Sequence, residues 1–205
     1  NRLAYGYRDL SQFHLMTTFY GTPYIDVRID FNSWIPLEIN EKISKKIIHF
    51  YLNKFNDKDD VHDKIEFEVL FTCATFITKK KLVNELKLIL NKNEIKLFYK
   101  ALKKLNVIAI SKKSDDFKLI KILEKKQKIL KKSKLYVIDK IYWSIEDCKK
   151  FGTLPFAGLA RCGFIAIELL NSLQRNGSIN ESEKFNFLSN VKTITSEMKN
   201  DLQKL

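Results

Sequence analysis

Phosphate-cradling glycines are missing from this chain. With six glycines and three prolines in 205 residues, it contains neither the Walker nor the dinucleotide form of a Gly-rich loop. No Gly-x-Ser-x-Gly elbow and no HExxH pair occurs, which removes the hydrolase-elbow and zincin readings. Cysteine is scarce as well. Cys73, Cys148 and Cys162 lie far apart, and an odd count without paired spacing argues against a disulfide framework or a zinc site. They read as reduced thiols among apolar neighbours in a cytoplasmic protein. A run of about 18 apolar residues is needed to span a bilayer. The nearest approach, 156–170, is interrupted by Arg161, so no membrane partner is expected. No signal peptide opens the chain, and its start at Asn1 reads as a piece taken from a longer protein.

Arginine is the other rarity: only five of the 37 basic side chains are arginine. The net charge of +13 is also uneven. Residues 1–78 carry 9 basic and 11 acidic groups, residues 79–134 carry 19 and 5, and residues 135–205 carry 9 and 8. The excess therefore sits in one lysine-only segment. Aromatic residues are scarce among those lysines, and no zinc finger or RNA-binding aromatic signature is present, so nucleic acid is not the expected partner.

What is present is alternation. In residues 24–33, Ile25, Val27, Ile29 and Phe31 point one way, and Tyr24, Asp26, Arg28 and Asp30 the other. A period of two predicts a half-buried strand. Residues 62–73 repeat the pattern, with Ile65, Phe67, Val69 and Phe71 against Lys64, Glu66 and Glu68. Pairing of the two would pool Asp26, Arg28, Asp30, Lys64, Glu66 and Glu68 into a charged platform. The intervening helix favours parallel pairing, and the polar face favours antiparallel pairing; both stay open. Such a platform suits a small zwitterion, because an arginine holds a carboxylate in a bidentate fork while carboxylates hold an ammonium or help to place magnesium. A salt-bridge lattice on a solvated face fits the same spacing.

The rest reads as helical. A short helix is expected near residues 9–17. A helix over 40–56, N-capped by Asn40, buries Ile43, Ile47, Phe50, Tyr51 and Phe55. Amphipathic stretches follow at 82–90 and 94–105, and a short apolar run at 107–111 could be a third strand. A helix from a Ser114 cap to about 134 has Phe117, Ile120, Leu123, Gln127 and Leu130 inside. In 136–151, Ile138, Ile141, Tyr142, Ile145 and Cys148 are expected inside. A helix from 153 to about 174 is apolar nearly all round and reads as the core helix; Arg161 on it needs a partner, and Thr153 at its start offers an anion site. Asn180 and Glu183 cap a last helix, with an apolar stripe through Leu188, Val191, Met198, Leu202 and Leu205. Of three histidines, His49 reads as structural, His14 has no clear setting, and His62 beside Asp63 is the candidate for chemistry.

Three motifs carry a resemblance. Pro-Tyr-Ile-Asp-Val-Arg28 with Phe-Asn-Ser33, His62-Asp-Lys-x-Glu-Phe-Glu68, and Gly152-Thr-Leu-Pro-Phe-Ala-x-Leu-Ala-Arg161 resemble the internal region of phosphoenolpyruvate synthase-like dikinases. The most similar type is the L-glutamine kinase of capsular phosphoramidate synthesis. The resemblance implies a substrate-binding middle domain, with an ATP-grasp domain and a phosphohistidine domain elsewhere in the same polypeptide. It implies no turnover by this chain alone, and ATP and magnesium only for the full-length enzyme. Under it, Asp26, Arg28, Asp30, Asn32, Ser33, Asp63, Lys64, Thr153 and Arg161 would bind glutamine, and His62, Glu66 and Glu68 would serve its phosphorylation.

The expectation is one α+β domain over 1–205, predominantly α-helical around a sheet of two or three strands. Residues 1–78 form its strand-bearing part, 79–134 its basic part and 135–205 its helical core. The competing function is a basic helical module that docks nucleic acid or a partner domain through 79–134.

Overall fold

The computed structural model describes residues 2–57 and 64–191, the side chain of Ser114 excepted. Among them are eight α-helices and one antiparallel pair of strands, a predominantly helical α+β fold. The strands are β1 (Met16–Phe19) and β2 (Thr22–Ile25), joined through Tyr20 and Gly21, both at positive φ. That turn geometry suits a tight hairpin. Every hairpin residue is exposed, so the sheet stands off the core.

Both expected charged strands are overturned. Beyond Ile25 the chain turns at Asp26 into helix α1 (Val27–Ser33), whose first turn is capped by the Asp26 carboxylate accepting from Arg28 N. The reason is degeneracy: Val27 and Phe31 share a face at period two and also at helical spacing, where Trp34 joins them. Phe31 and Trp34 are buried and Val27 packs beside them, so the helical reading has the core on its side. The second stretch forms the short helix α3 (Ile65–Glu68), while His62 and Asp63 lie outside the described residues. The helix expected at 9–17 is a turn leading into β1.

Helix α2 (Glu41–Asn56) forms as expected, with Asn40 accepting from Ile43 N and Ile43, Ile47 and Tyr51 buried. Helix α4 (Thr78–Leu86) leads to α5 (Lys92–Lys132), 41 residues without glycine or proline, started by an Asn91–Glu94 capping box. At 1.5 Å per residue it is about 60 Å long. It absorbs the run at 107–111, and Ser114 starts no new helix. The run stays helical because Ala109 packs against Cys73 and Ile165 while both flanks are helical. Beyond the core, the face expected inside is only half covered: Phe117 and Gln127 are exposed.

Helix α6 (Val137–Phe151) turns back along α5, and Lys126 pairs with Asp147 at 2.9 Å. It has no buried residue. Its stripe of Ile138, Ile141, Tyr142 and Ile145, expected inside, is at least half exposed, and Cys148 is exposed as well. Helix α7 (Thr153–Arg175) packs on α5, and α8 (Glu181–Ser189) carries the expected Asn180–Glu183 capping box. Leu188 and Val191 are exposed, and Met198, Leu202 and Leu205 lie outside the described residues. With 23 residues and a mean hydropathy of 1.5 in its most apolar window, α7 is long and apolar enough to cross a membrane by length and composition. Here it is docked, with Pro155, Gly158, Arg161, Ile165 and Ser172 buried.

Residues 69–75 cross the core without regular structure, and all are buried. Buried backbone needs partners, and side chains supply them. Phe71 N donates to Tyr51 Oη at 3.1 Å, and Thr75 N to Thr78 Oγ1 at 2.8 Å. Asn106 closes both groups of Ala74, accepting from N at 3.2 Å and donating to O at 2.7 Å. Asn106→Ala strands both groups, and a buried unsatisfied polar group costs about 1–3 kcal/mol. Urea unfolding should show a loss of about 2 kcal/mol; a loss no larger than that of a surface control would contradict this account.

Candidate functional site

Two of the five arginines lie in the first eight residues, and a third is Arg161. The fold gathers Arg2 and Arg161 around one indole. Arg2 sits 4.3 Å from the Trp34 ring centroid and Arg161 5.0 Å from it. Gly6, at φ +87°, lets the N-terminal segment lie against Leu105 and Ile108 of α5. Its neighbours then diverge: Tyr7 stands edge-on to Trp34 at 5.6 Å, while the Tyr5 hydroxyl donates to Asp116 Oδ1 at 2.9 Å. Between them lies a cavity of about 220 Å³, lined by these residues with Glu66 of α3 and Ala160, Arg161 and Phe164 of α7.

Arg161 is 6% exposed. Its Nη2 donates to the Thr72 carbonyl in the buried crossing segment, and its plane lies 5.6 Å from the Tyr7 ring. Among the described residues its Nη1 has no aligned hydrogen-bond partner, and neither has Tyr7 Oη, on a residue 2% exposed. Burial raises the Tyr7 phenol, and the Arg161 guanidinium partly counters it. The guanidinium acts on the phenol both through its charge and at hydrogen-bonding range. Burial also raises Glu66 above the usual carboxylate range, against the pull of Arg161 and Arg2 and with a small push from Asp30. Behind the wall, Asp116 is 3% exposed with Oδ2 unpartnered. Gly158 of α7 meets it and the Tyr5 hydroxyl in close contact.

The expected platform is therefore dispersed. Asp26 and Arg28 pair with each other at 3.0 Å on the surface, and Arg28 does not line the 220 Å³ cavity. Asp30 pairs with Arg2 at 3.0 Å and so braces the cavity from outside. Asn32 accepts from Arg8 at 3.5 Å. Ser33 is buried, donates to the Asp30 carbonyl, and lines a second cavity of about 280 Å³ on the other side of Arg2. Lys64 is exposed at the start of α3. Glu68 is half-buried on α3 and is absent from the cavity lining. The Thr153 hydroxyl donates to Cys148 O at 3.4 Å, and Thr153 does not line the 220 Å³ cavity. His49 is exposed on α2, and His14 is exposed before β1.

Of the expected site residues, the structure brings together Glu66 and Arg161, with Asp30 behind them. Arg2, Tyr5, Tyr7, Trp34 and Phe164 were not foreseen. Arginine scarcity was the one available signal, since a lysine-biased chain that keeps a guanidinium uses its fork. Among the described residues no group of three His, Cys, Asp or Glu side chains could hold a metal ion. No protein-family model, curated protein or solved structure matches the chain.

Proposed function

We propose that this chain is the substrate-binding domain of an ATP-dependent phosphotransferase, and that the cavity between α1, α3 and α7 takes a small zwitterionic amino acid. One observation carries the reading: Arg161, Arg2 and Glu66 line a single cavity, and just beneath its surface Arg161 Nη1 and Tyr7 Oη have no aligned hydrogen-bond partner among the described residues. A buried unpaired donor is costly, and a ligand carboxylate would satisfy it once the guanidinium turned toward the cavity. Glu66 would face the ammonium. At about 220 Å³ the cavity suits an amino acid rather than a nucleotide. The resemblance makes that guest L-glutamine. The carboxylate role expected of Arg28 passes to Arg161, because Arg28 is spent on Asp26. ATP and magnesium would be supplied with the other domains, and this chain's part is to bind and orient.

Thermal shift with L-glutamine, its carboxyl-amidated and amino-acetylated forms, and other amino acids tests this. Ligand at a hundred times Kd adds about 2.7 kcal/mol of stability. The free amino acid should raise Tm and both capped forms should not; no response to any amino acid overturns the reading.

The pH profile is a second check. Glu66 has a raised folded pKa, so the folded protein holds a proton that the unfolded chain has released. Its contribution to stability therefore falls as pH rises from the ordinary carboxylate range through the raised value. An ammonium beside Glu66 favours the ionised form, so binding expels that proton and tightens as pH rises through the same window. Titration calorimetry in buffers of different ionisation heat should register the release, and Glu66→Gln should flatten the profile. A profile unchanged by Glu66→Gln removes Glu66 from the site.

A further inference from the structure

The cavity uses none of the lysine excess. Four of the 19 lysines in residues 79–134 border a second feature, a groove of about 920 Å³ between α4 and the first turns of α5. Its floor is Val83, Leu90, Ile95 and Tyr99, and its rim is Lys79, Lys87, Lys92 and Lys96. Beside it, Leu88 is 90% exposed. Among the described residues no acidic side chain lines the groove. The nearest carboxylates are committed elsewhere: Glu85 pairs with Lys54 at 2.8 Å and with Lys81 at 4.0 Å, and Glu94 with Lys46 at 3.3 Å while also closing its own cap. None of the four rim lysines has an ion pair among the described residues, whereas lysines at 45, 46, 54, 81, 104, 118, 126 and 149 do.

The rim lysines form two rails. Lys79 and Lys87 run along α4 and its exit, about 12 Å apart at helical rise. Lys92 and Lys96 run along α5, about 6 Å apart. An amphiphile with one headgroup needs its cations gathered at one end. Cations spread along both sides of an apolar floor instead match a ligand with an apolar face and acidic flanks. An amphipathic α-helix has that form.

We propose that the α4–α5 groove docks an acidic amphipathic helix of another polypeptide, its apolar face on Val83, Leu90, Ile95 and Tyr99 and its carboxylates on the four lysines. This goes beyond the amino-acid site and stands or falls separately from it. The test is fluorescence anisotropy on the full chain. The probe is a labelled helical peptide with leucines at i, i+3, i+4 and i+7 and glutamates on both flanks; a scrambled peptide of equal composition is the control. Binding should be saturable and weaken at least about tenfold, about 1.4 kcal/mol, when Lys79, Lys87, Lys92 and Lys96 are all changed to Glu. Changing Lys121, Lys125, Lys128 and Lys132 to Glu alters the net charge equally and should weaken it far less. Val83→Asp, at a half-exposed floor position, should weaken binding with the rim intact. Equal loss in both lysine sets, equal binding of the scrambled peptide, or binding of an oligoribonucleotide or phosphatidylserine vesicles in its place would each overturn the proposal. All these substitutions are on exposed positions, so circular dichroism should show an unchanged fold.

Discussion

Arg161→Met is expected to weaken amino-acid binding by at least about a hundredfold, or 2.7 kcal/mol, with a much smaller effect on folding. The two effects separate because the folding terms oppose one another. The substitution removes a donor to the buried Thr72 carbonyl and a cation stacked on Trp34 and Tyr7. An unsatisfied buried carbonyl costs about 1–3 kcal/mol, and a stacked cation about 1–2 kcal/mol. Against this, burying a guanidinium whose hydrogen bond goes to a neutral carbonyl is itself unfavourable, and methionine fills the space without charge. The net change in stability should be about 1 kcal/mol. Binding has no such offset, because the carboxylate of a bound amino acid would lose the Arg161 fork and be left with Arg2 alone. Arg161→Lys divides the cause further. It keeps the charge but loses the planar fork that holds Thr72 and the ligand together, and should cost about tenfold in Kd. Calorimetric titration beside thermal melts reads both quantities; unaltered affinity in the methionine variant would remove the site.

Gly158→Ala should destabilise the fold by about 3 kcal/mol or more, although alanine is better than glycine within a helix by about 1 kcal/mol. The sign reverses because of what the new methyl meets. A Cβ at 158 collides with the Tyr5 hydroxyl and Asp116 Oδ2 and comes within 2.6 Å of Tyr5 Cζ. Overpacking costs about 1–3 kcal/mol by itself. Here relief requires Tyr5 to move, which breaks its 2.9 Å bond to Asp116 and leaves a carboxylate 3% exposed with no donor. At about 2–4 °C per kcal/mol for a chain of this size, Tm should fall by about 6–12 °C. Asp116→Ala should recover part of the loss, since one colliding atom is gone and no carboxylate remains to be stranded. The double variant should therefore lose less than the sum of the two singles. Strict additivity would mean that the three residues do not act as a unit.

Local chemistry made some of this readable in advance. Asn40 and the Asn180–Glu183 pair cap helices through side-chain bonds to amides two or three residues away, so neighbours in sequence suffice to recognise them. The inward face of α2 was equally plain, because Phe50 beside Ile43, Ile47 and Tyr51 breaks a period of two and keeps the helical one. Residues 24–33 were not, because their alternation satisfied both periods, and burial of Phe31 and Trp34 decided between them. On α6 the stripe is at the right spacing, yet Ile138 is 70% exposed. Periodicity says which face is apolar and is silent on whether a neighbour covers it.

The chain by itself determined its helical character, its caps, the lysine concentration and the absence of a phosphate loop, since each depends on side chains a few residues apart. Only the tertiary structure decided where function could reside. The Glu66–Arg161 cavity needs Arg2, Tyr7 and Trp34, which no period or spacing links to α3 or α7. Such a site forms where distant segments must satisfy one another's buried polar groups, and that requirement exists only after the chain has packed.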